Sequence, residues 1–128
     1  KVVIVPWLDR EGLRNLLAVA DVFLYSSIPS GGWEEQFGYS MAEASLMELP
    51  IISTKSGSIE EVVKDGDTGL LVEPNNVEEL FNAMKKLGSD PELRKRMGHV
   101  GREYISRNFS YEVVANKFYE FFGQILVK

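Results

Sequence analysis

Apolar residues along the chain come in short blocks divided by polar turns, and the spacing within a block changes from one block to the next. Residues 2–5 (Val-Val-Ile-Val) form a β-branched run suited to a strand buried on both faces. Leu13, Leu16, Leu17 and Ala20 then recur at helical spacing, and Asp9 stands where it can cap a helix over 11–20. A second buried strand is predicted over 22–25, followed by a loop over 26–38 rich in Ser, Gly and Pro. A helix over 39–48 ends before Pro50, which opens a third strand over 51–54. Ser58 or a neighbour caps a short helix over 59–64, Asp65-Gly66-Asp67-Thr68-Gly69 reads as a turn, and Pro74-Asn75-Asn76 stops a fourth strand over 70–72.

Beyond residue 76 the pattern is helical throughout. Residues 77–87 are amphipathic, Pro91 occupies a favoured first-turn position of a helix reaching about 107, and Ser110 caps a last helix to about 126. Strands alternating with helices, then three helices in a row, predict an α/β fold: a parallel sheet of about four strands flanked by helices. On such sheets ligands bind beyond the carboxyl ends of the strands, beside helix N-termini. The longest and most glycine-rich loop in that position follows Tyr25.

Size and composition narrow the classes of function. The 128 residues suffice for one domain with its own core, and 45% apolar with 26% charged residues is ordinary for a globular chain. No apolar run approaches the roughly 20 residues that span a bilayer, and residues 1–5 read as a strand rather than a signal peptide. Cysteine is absent, which removes disulfides, thiolate metal sites and a cysteine nucleophile, and fits a reducing, cytoplasmic setting. The single histidine, His99, cannot build a histidine metal cluster and reads as a helix-surface residue. A net charge of −5 argues against a nucleic-acid partner, since phosphate binding relies on Lys and Arg.

The chemistry concentrates between Glu34 and Ala44. From Phe37 to Met47 the sole formal charge is Glu43, a carboxylate among Met41, Ala42, Ala44, Leu46 and Met47 that is costly to bury without hydrogen bonds. Two readings stand: Glu43 points to solvent on a polar helix face, or it meets a ligand. Glu35 precedes the helix, so both carboxylates could approach one pocket at its N-terminal end. Gly38 permits close backbone approach, and free first-turn amides favour an anion such as diphosphate. Against this, Glu34 and Glu35 could be an acidic loop that merely complements the helix dipole.

Taken in order, Glu35-Gln36-Phe37-Gly38, then Glu43-Ala44, Pro50, Gly57-Ser58-Ile59-Glu60-Glu61 and Asp65-Gly66-Asp67-Thr68-Gly69-Leu70-Leu71-Val72 resemble the C-terminal half of retaining GT-B glycosyltransferases of the family 4 type. The likeness extends upstream through 16–26 and downstream to the aromatic helix after Ser110, nearly the whole chain. It implies a Rossmann-like, donor-binding domain over 1–128, a fragment lacking the N-terminal acceptor domain and the first part of this domain. Glu43 would hold the nucleotide ribose and Glu35 would be catalytic beside the transferred sugar. Backbone at Gln36, Phe37 and Gly38 would face that sugar, Tyr39, Ser40 and Met41 the diphosphate, and Trp7 with Leu8 the base. The partner would be a nucleotide diphosphate sugar acting as donor substrate, with no metal and no cofactor, since cationic groups and a helix N-terminus do that work.

The family's pattern has Gly where Glu48 stands, at a helix end that favours a left-handed residue. The loop over 27–34 is longer than usual, with Trp33 either an acceptor contact or a loop anchor. Trp7 could equally be a core or edge aromatic. Tyr104, Phe109, Phe118, Tyr119, Phe121 and Phe122 read as core or inter-domain packing, and the last helix as a surface for the missing half or a second copy in a homodimer. Lys85-Lys86 and Arg94-Lys95-Arg96 read as solvated faces, with peripheral membrane contact of the full enzyme as the alternative. The functional expectation is sugar transfer from a nucleotide diphosphate sugar to an acceptor hydroxyl with retention, the isolated chain being inactive. The alternative is a non-catalytic nucleotide-binding or interaction module of the same fold.

Overall fold

A computed structural model describes residues 1–126. Three strands, β1 (Phe23–Tyr25), β2 (Ile51–Thr54) and β3 (Gly69–Val72), form a parallel sheet in the order β1-β2-β3. Around and between them run α1 (Arg10–Val19), α2 (Tyr39–Leu46), α3 (Ile59–Val62), α4 (Val77–Ser89), α5 (Pro91–Phe109) and α6 (Tyr111–Leu126). The register Phe23↔Ile51, Leu24↔Ile52, Tyr25↔Ser53 continues on the other side as Ile51↔Gly69 through Thr54↔Val72.

β2 is the central strand, and all four of its residues are buried. Because successive side chains alternate across a strand, Ile51 joins the core beneath α2, α3 and α5, with Met41, Ala44, Ile59, Val62 and Ile105. Ile52 joins the core on the opposite face, with Val72, Ala83, Leu87 and Met97. Helices thus cover both faces, the arrangement that continuous apolar strands require.

Helix starts follow the sequence closely. Asp9 Oδ1 accepts from the Gly12 amide (2.8 Å) at α1 and Asp90 Oδ1 from the Leu93 amide (2.9 Å) at α5. Asn76 and Glu79 form a reciprocal pair at α4: Asn76 Oδ1 accepts from the Glu79 amide (3.0 Å), and Asn76 Nδ2 donates to Glu79 Oε1 (2.7 Å). Residues 65–69 form the expected turn, with Asp65 Oδ1 accepting from the Leu71 amide (2.9 Å).

Three expectations need correction. Residues 2–5 form no strand, so the sheet has three strands rather than four. Val2 and Ile4 are 90% and 91% exposed; a strand needs a hydrogen-bonding neighbour, and no described strand lies beside these residues. β1 is an edge strand, with Leu24 partly in solvent. Arg94 is more than a solvated face: its guanidinium donates to the Leu87 carbonyl (2.7 Å), closing the end of α4, and pairs with Asp21 at 3.2 Å. His99 lies exposed on α5, 3.8 Å from Glu103 one turn on.

Tyr104 and Phe109 pack against the core as expected, whereas Phe118, Tyr119, Phe121 and Phe122 on α6 are exposed and α6 has no buried residue. No helix among the described residues is long and apolar enough to cross a membrane.

α2 packs most extensively on α5, and the junction beyond α2 explains Glu48. Its φ is +61°, the left-handed conformation anticipated there. The chain must reverse sharply to bring Leu49 and Pro50 into the buried start of β2. α5 crosses this reversal so closely that a Cβ on Gly98 would lie 1.8 Å from the Glu48 carbonyl oxygen. Glu48 keeps one surface contact, an ion pair with Arg102 at 3.2 Å. Relieving the left-handed strain is worth roughly 1–2 kcal/mol, against up to about 1 kcal/mol for the exposed pair and a similar loss from a more flexible unfolded chain. Glu48→Gly is therefore expected to leave the urea midpoint unchanged or raise it. A clear fall in that midpoint would contradict the left-handed assignment.

Candidate functional site

The carboxyl ends of β1 and β2 and the N-terminus of α2 converge on Glu35. Its carboxylate is engaged on both oxygens: Oε2 accepts from the Tyr25 hydroxyl at 2.6 Å and Oε1 from the Gly38 amide at 3.0 Å. Its backbone carbonyl accepts from the Ser58 amide at 2.8 Å, tying it to the loop after β2. Gly57 makes that approach possible, since its φ is +53° and a Cβ there would fall 2.2 Å from the Glu35 carbonyl oxygen. Glu35 therefore joins the end of β1 and the loop after β2, both remote in sequence, to the start of α2.

This bonding sets its charge. The hydrogen bond from Tyr25 holds the Glu35 carboxyl below the usual glutamate range; partial burial opposes this, and the amides of Gly38, Phe37 and Gln36 reinforce it. Conversely, the Tyr25 phenol is raised above its ordinary value by the same bond, by burial and by the Glu35 charge. At neutral pH Glu35 is an anion that accepts hydrogen bonds and has no proton to give.

α2 begins at Gly38, in the left-handed region at φ 71°. The Met41 amide donates to the Gly38 carbonyl (2.9 Å), and the Met41 side chain is fully buried. Among the described residues, no acceptor outside the helix is bonded by the Tyr39 and Ser40 amides, which makes them the open donors of this N-terminus. Gln36 is exposed. Phe37 turns inward to meet Tyr39 and Phe109 edge-on, each with ring centroids 5.1 Å away, so backbone rather than ring is what it presents outward.

Glu43 is exposed, while Met41, Ala42, Ala44 and Ser45 occupy the buried face of α2. Its carboxylate forms no hydrogen bond or ion pair within the described residues. It lines a groove of about 230 Å³ between α1 and α2, whose apolar walls are Leu13, Leu17, Leu46 and Met47 and whose rim carries Arg10 and Arg14. The apolar neighbours that make Glu43 look isolated in sequence thus divide between the core behind it and the groove beside it. Glu35 is not among the residues lining this groove. Leu8 is half-buried just before the cap of α1, and Trp7 is 88% exposed, neither a core nor an edge-strand aromatic.

Between Tyr25 and Glu35 the long loop carries a tight hairpin. Ser30 and Trp33 exchange backbone hydrogen bonds of 3.1 and 2.9 Å across Gly31-Gly32, and Trp33 is 77% exposed, so it does not anchor the loop. Sequence reading passed over Tyr25, Gly57, Arg10 and Arg14. The available signal was position: Tyr25 ends a strand and Gly57 follows one, where α/β ligands bind.

A parallel sheet covered on both faces, with its polar cluster beyond the strand ends, defines a Rossmann-like α/β domain of the GT-B type. The chain belongs to the family of glycosyl transferases group 1, whose profile matches residues 1–104. It is 30% identical over 117 residues to the N-acetyl-alpha-D-glucosaminyl L-malate synthase of Bacillus anthracis, covering 91% of this chain and 29% of the relative. It is 32% identical over 112 residues to the GDP-mannose-dependent monoacylated alpha-(1-6)-phosphatidylinositol monomannoside mannosyltransferase of Corynebacterium glutamicum, covering 86% of this chain and 29% of the relative. Among solved structures, sucrose-phosphate synthase from Thermosynechococcus elongatus superposes with a TM-score of 0.79 at 29% identity, over 96% of this chain and 30% of that one. The Anabaena protein HepE, solved in complex with UDP, shares the fold with a TM-score of 0.79 at 23% identity, over 90% of this chain and 30% of its own. The chain spans under a third of the length of each of these four proteins.

The packing at Gly57 gives a direct test of the bridge. Gly57→Ala forces a Cβ against backbone in a conformation that L side chains rarely adopt. It is expected to cost at least about 2 kcal/mol of stability, read as a lower urea midpoint. An unchanged midpoint would mean that the loop after β2 does not press on Glu35.

Proposed function

We propose that the chain is the donor-binding part of a retaining glycosyltransferase that moves a sugar from a nucleotide diphosphate sugar to an acceptor hydroxyl. Family membership supports glycosyl transfer, and relatives named for GDP-mannose or solved with UDP support a nucleotide-linked donor. The observation that carries the reading is the layout of α2. Its first turn offers the open amides of Tyr39 and Ser40, an anchored carboxylate flanks them at Glu35, and an unpartnered one stands beside a groove at Glu43.

In this reading the diphosphate meets the amides of Tyr39 and Ser40, where two free N–H groups and the helix dipole favour negative charge. Glu43 accepts two hydroxyl hydrogen bonds from the ribose, with the groove between α1 and α2 receiving the nucleoside. Trp7 and Leu8, at the entrance to α1, lie toward the base. The sugar faces backbone at Gln36, Phe37 and Gly38, and the Glu35 carboxylate orients it. Because Glu35 is ionised and fixed, its catalytic contribution is electrostatic and positional rather than proton transfer. The reading calls on no metal or other cofactor; neutralisation of the diphosphate falls to the helix N-terminus and to the Arg and Lys that the resembled family carries upstream of the stretch matched here.

The chain would act with an acceptor-binding N-terminal domain, and the exposed aromatic face of α6 is the surface offered to that domain or to a second copy. Half a cleft cannot orient an acceptor against the donor, so the purified chain is expected to bind donor without transferring it. Robust transfer to any acceptor by the 128-residue chain would overturn this part of the reading.

Calorimetric titration with UDP, UDP-glucose, GDP and GDP-mannose tests the site. Charge-assisted hydrogen bonds are worth roughly 1.5–3 kcal/mol, so Glu43→Gln is expected to weaken nucleotide and sugar nucleotide alike by about ten- to hundredfold. Glu35→Gln is expected to spare the bare nucleotide diphosphate and weaken only its sugar conjugate. Equal losses in the two variants, or none for Glu43→Gln, would refute the assignment.

A further inference from the structure

We propose that Tyr25 is a positioning residue that holds Glu35 as a fixed anion at the far end of the long loop between them. The inference rests on the reading that Glu35 meets the donor's sugar, and it concerns a residue to which that reading gives no part.

Tyr25 is itself immobilised in two ways. Its ring packs against the core beneath α2. Its carbonyl accepts from the hydroxyl of Ser53, its partner in the register, at 2.6 Å, and Ser53 is fully buried. From this base the phenol reaches Glu35 Oε2 at 2.6 Å, closing the ten-residue step between positions 25 and 35. The hairpin at Ser30 and Trp33 lies within the loop that this bond closes, and neither residue bonds the carboxylate. The Gly38 amide takes the other oxygen, which leaves each oxygen one further lone pair for an incoming hydroxyl.

The groups facing the carboxylate are few. β1 contributes the Tyr25 phenol, and the start of α2 contributes amides without a charged side chain. The loop after β2 presents Gly57 and Ser58, which carry no charge. Lys55, next in that loop, is paired with Glu73 at 2.8 Å, and the adjoining Glu34 is exposed. A strong donor to an ionised acceptor in this setting favours the charged form. The folded-state carboxyl therefore titrates below its unfolded value, and the stability it contributes is present at neutral pH and lost as pH falls through that lowered value.

The test uses the 128-residue chain with glutamate labelled at the carboxyl carbon, the Glu35 signal being identified by its loss in Glu35→Gln. In Tyr25→Phe the Glu35 titration midpoint is expected to rise. An unchanged midpoint in a folded Tyr25→Phe chain overturns the proposal. Should Tyr25→Phe not fold, Glu35→Gln reads the same bond from its other end. The Tyr25 phenol is then expected to titrate lower, toward its ordinary value, and an unchanged phenol titration overturns the proposal.

Titration with UDP and UDP-glucose separates this from the broader reading. Tyr25→Phe is expected to reduce UDP-glucose affinity by up to about tenfold with UDP affinity unchanged. A raised Glu35 midpoint with no change for either ligand would uphold the clamp and overturn the assignment of Glu35 to the sugar.

Discussion

The hydrogen bonds converging on Glu35 hold together the polar end of this domain. Tyr25 at the end of β1, Gly38 at the start of α2 and Ser58 in the loop after β2 are each bonded to a different atom of that one residue. A parallel sheet leaves the loops at its carboxyl end without the hairpin connections that would order them in an antiparallel one. Here the Glu35 side chain and its own carbonyl supply much of that order, beside the bonds from Thr54 to the Ser27 carbonyl and from Lys55 to Glu73. The cost is that Glu35 is largely satisfied by protein before any ligand arrives, and that it stays charged. Such a carboxylate suits orientation and charge stabilisation, and is poorly suited to shuttling protons.

The same constraint governs what α2 can do. Because the turn around Gly38 is closed from Glu35 on one side and by the Met41 and Ala42 amides on the other, the helix enters at a fixed angle with two open N–H groups. Its buried face is made of Met41, Ala42, Ala44 and Ser45, small or flexible residues that let α5 lie close. At the far end that closeness becomes severe, with Gly98 against the Glu48 carbonyl. The two ends of α2 are thus fixed by different physics, polar at the start and steric at the finish. Glu43 lies between them, on the face that neither end occupies.

The second consequence is division of labour across the surface. Glu43 and the α1–α2 groove form an open, largely apolar recess with arginines at its rim, whereas Glu35 sits in a polar lattice of backbone amides. A ligand with an apolar, hydroxylated end and a charged middle matches that succession in chemistry and order. The exposed apolar surfaces at α6 and at residues 2–5 lie outside both regions.

Much of the architecture was legible in the residues themselves. The cap at Asp9, Pro91 at a first turn and the apolar run of β2 located those helices and the central strand to within a few residues, because these signals act over one helical turn or one strand. The left-handed Glu48 was also anticipated, from the glycine that the resembled family carries at this helix end. The Glu35 to Ala44 stretch stood out because a lone carboxylate in apolar sequence is chemically conspicuous. Tertiary structure alone decided the rest. Whether residues 2–5 become a strand depends on a neighbour to bond with, which no β-branched run contains within itself. Whether Glu43 faces core or groove depended on where α1 and α5 pack. The bonds from Tyr25 and Ser58 to Glu35 join positions far apart in sequence, and only the stacking of β1 beside β2 brings those positions within hydrogen-bonding distance.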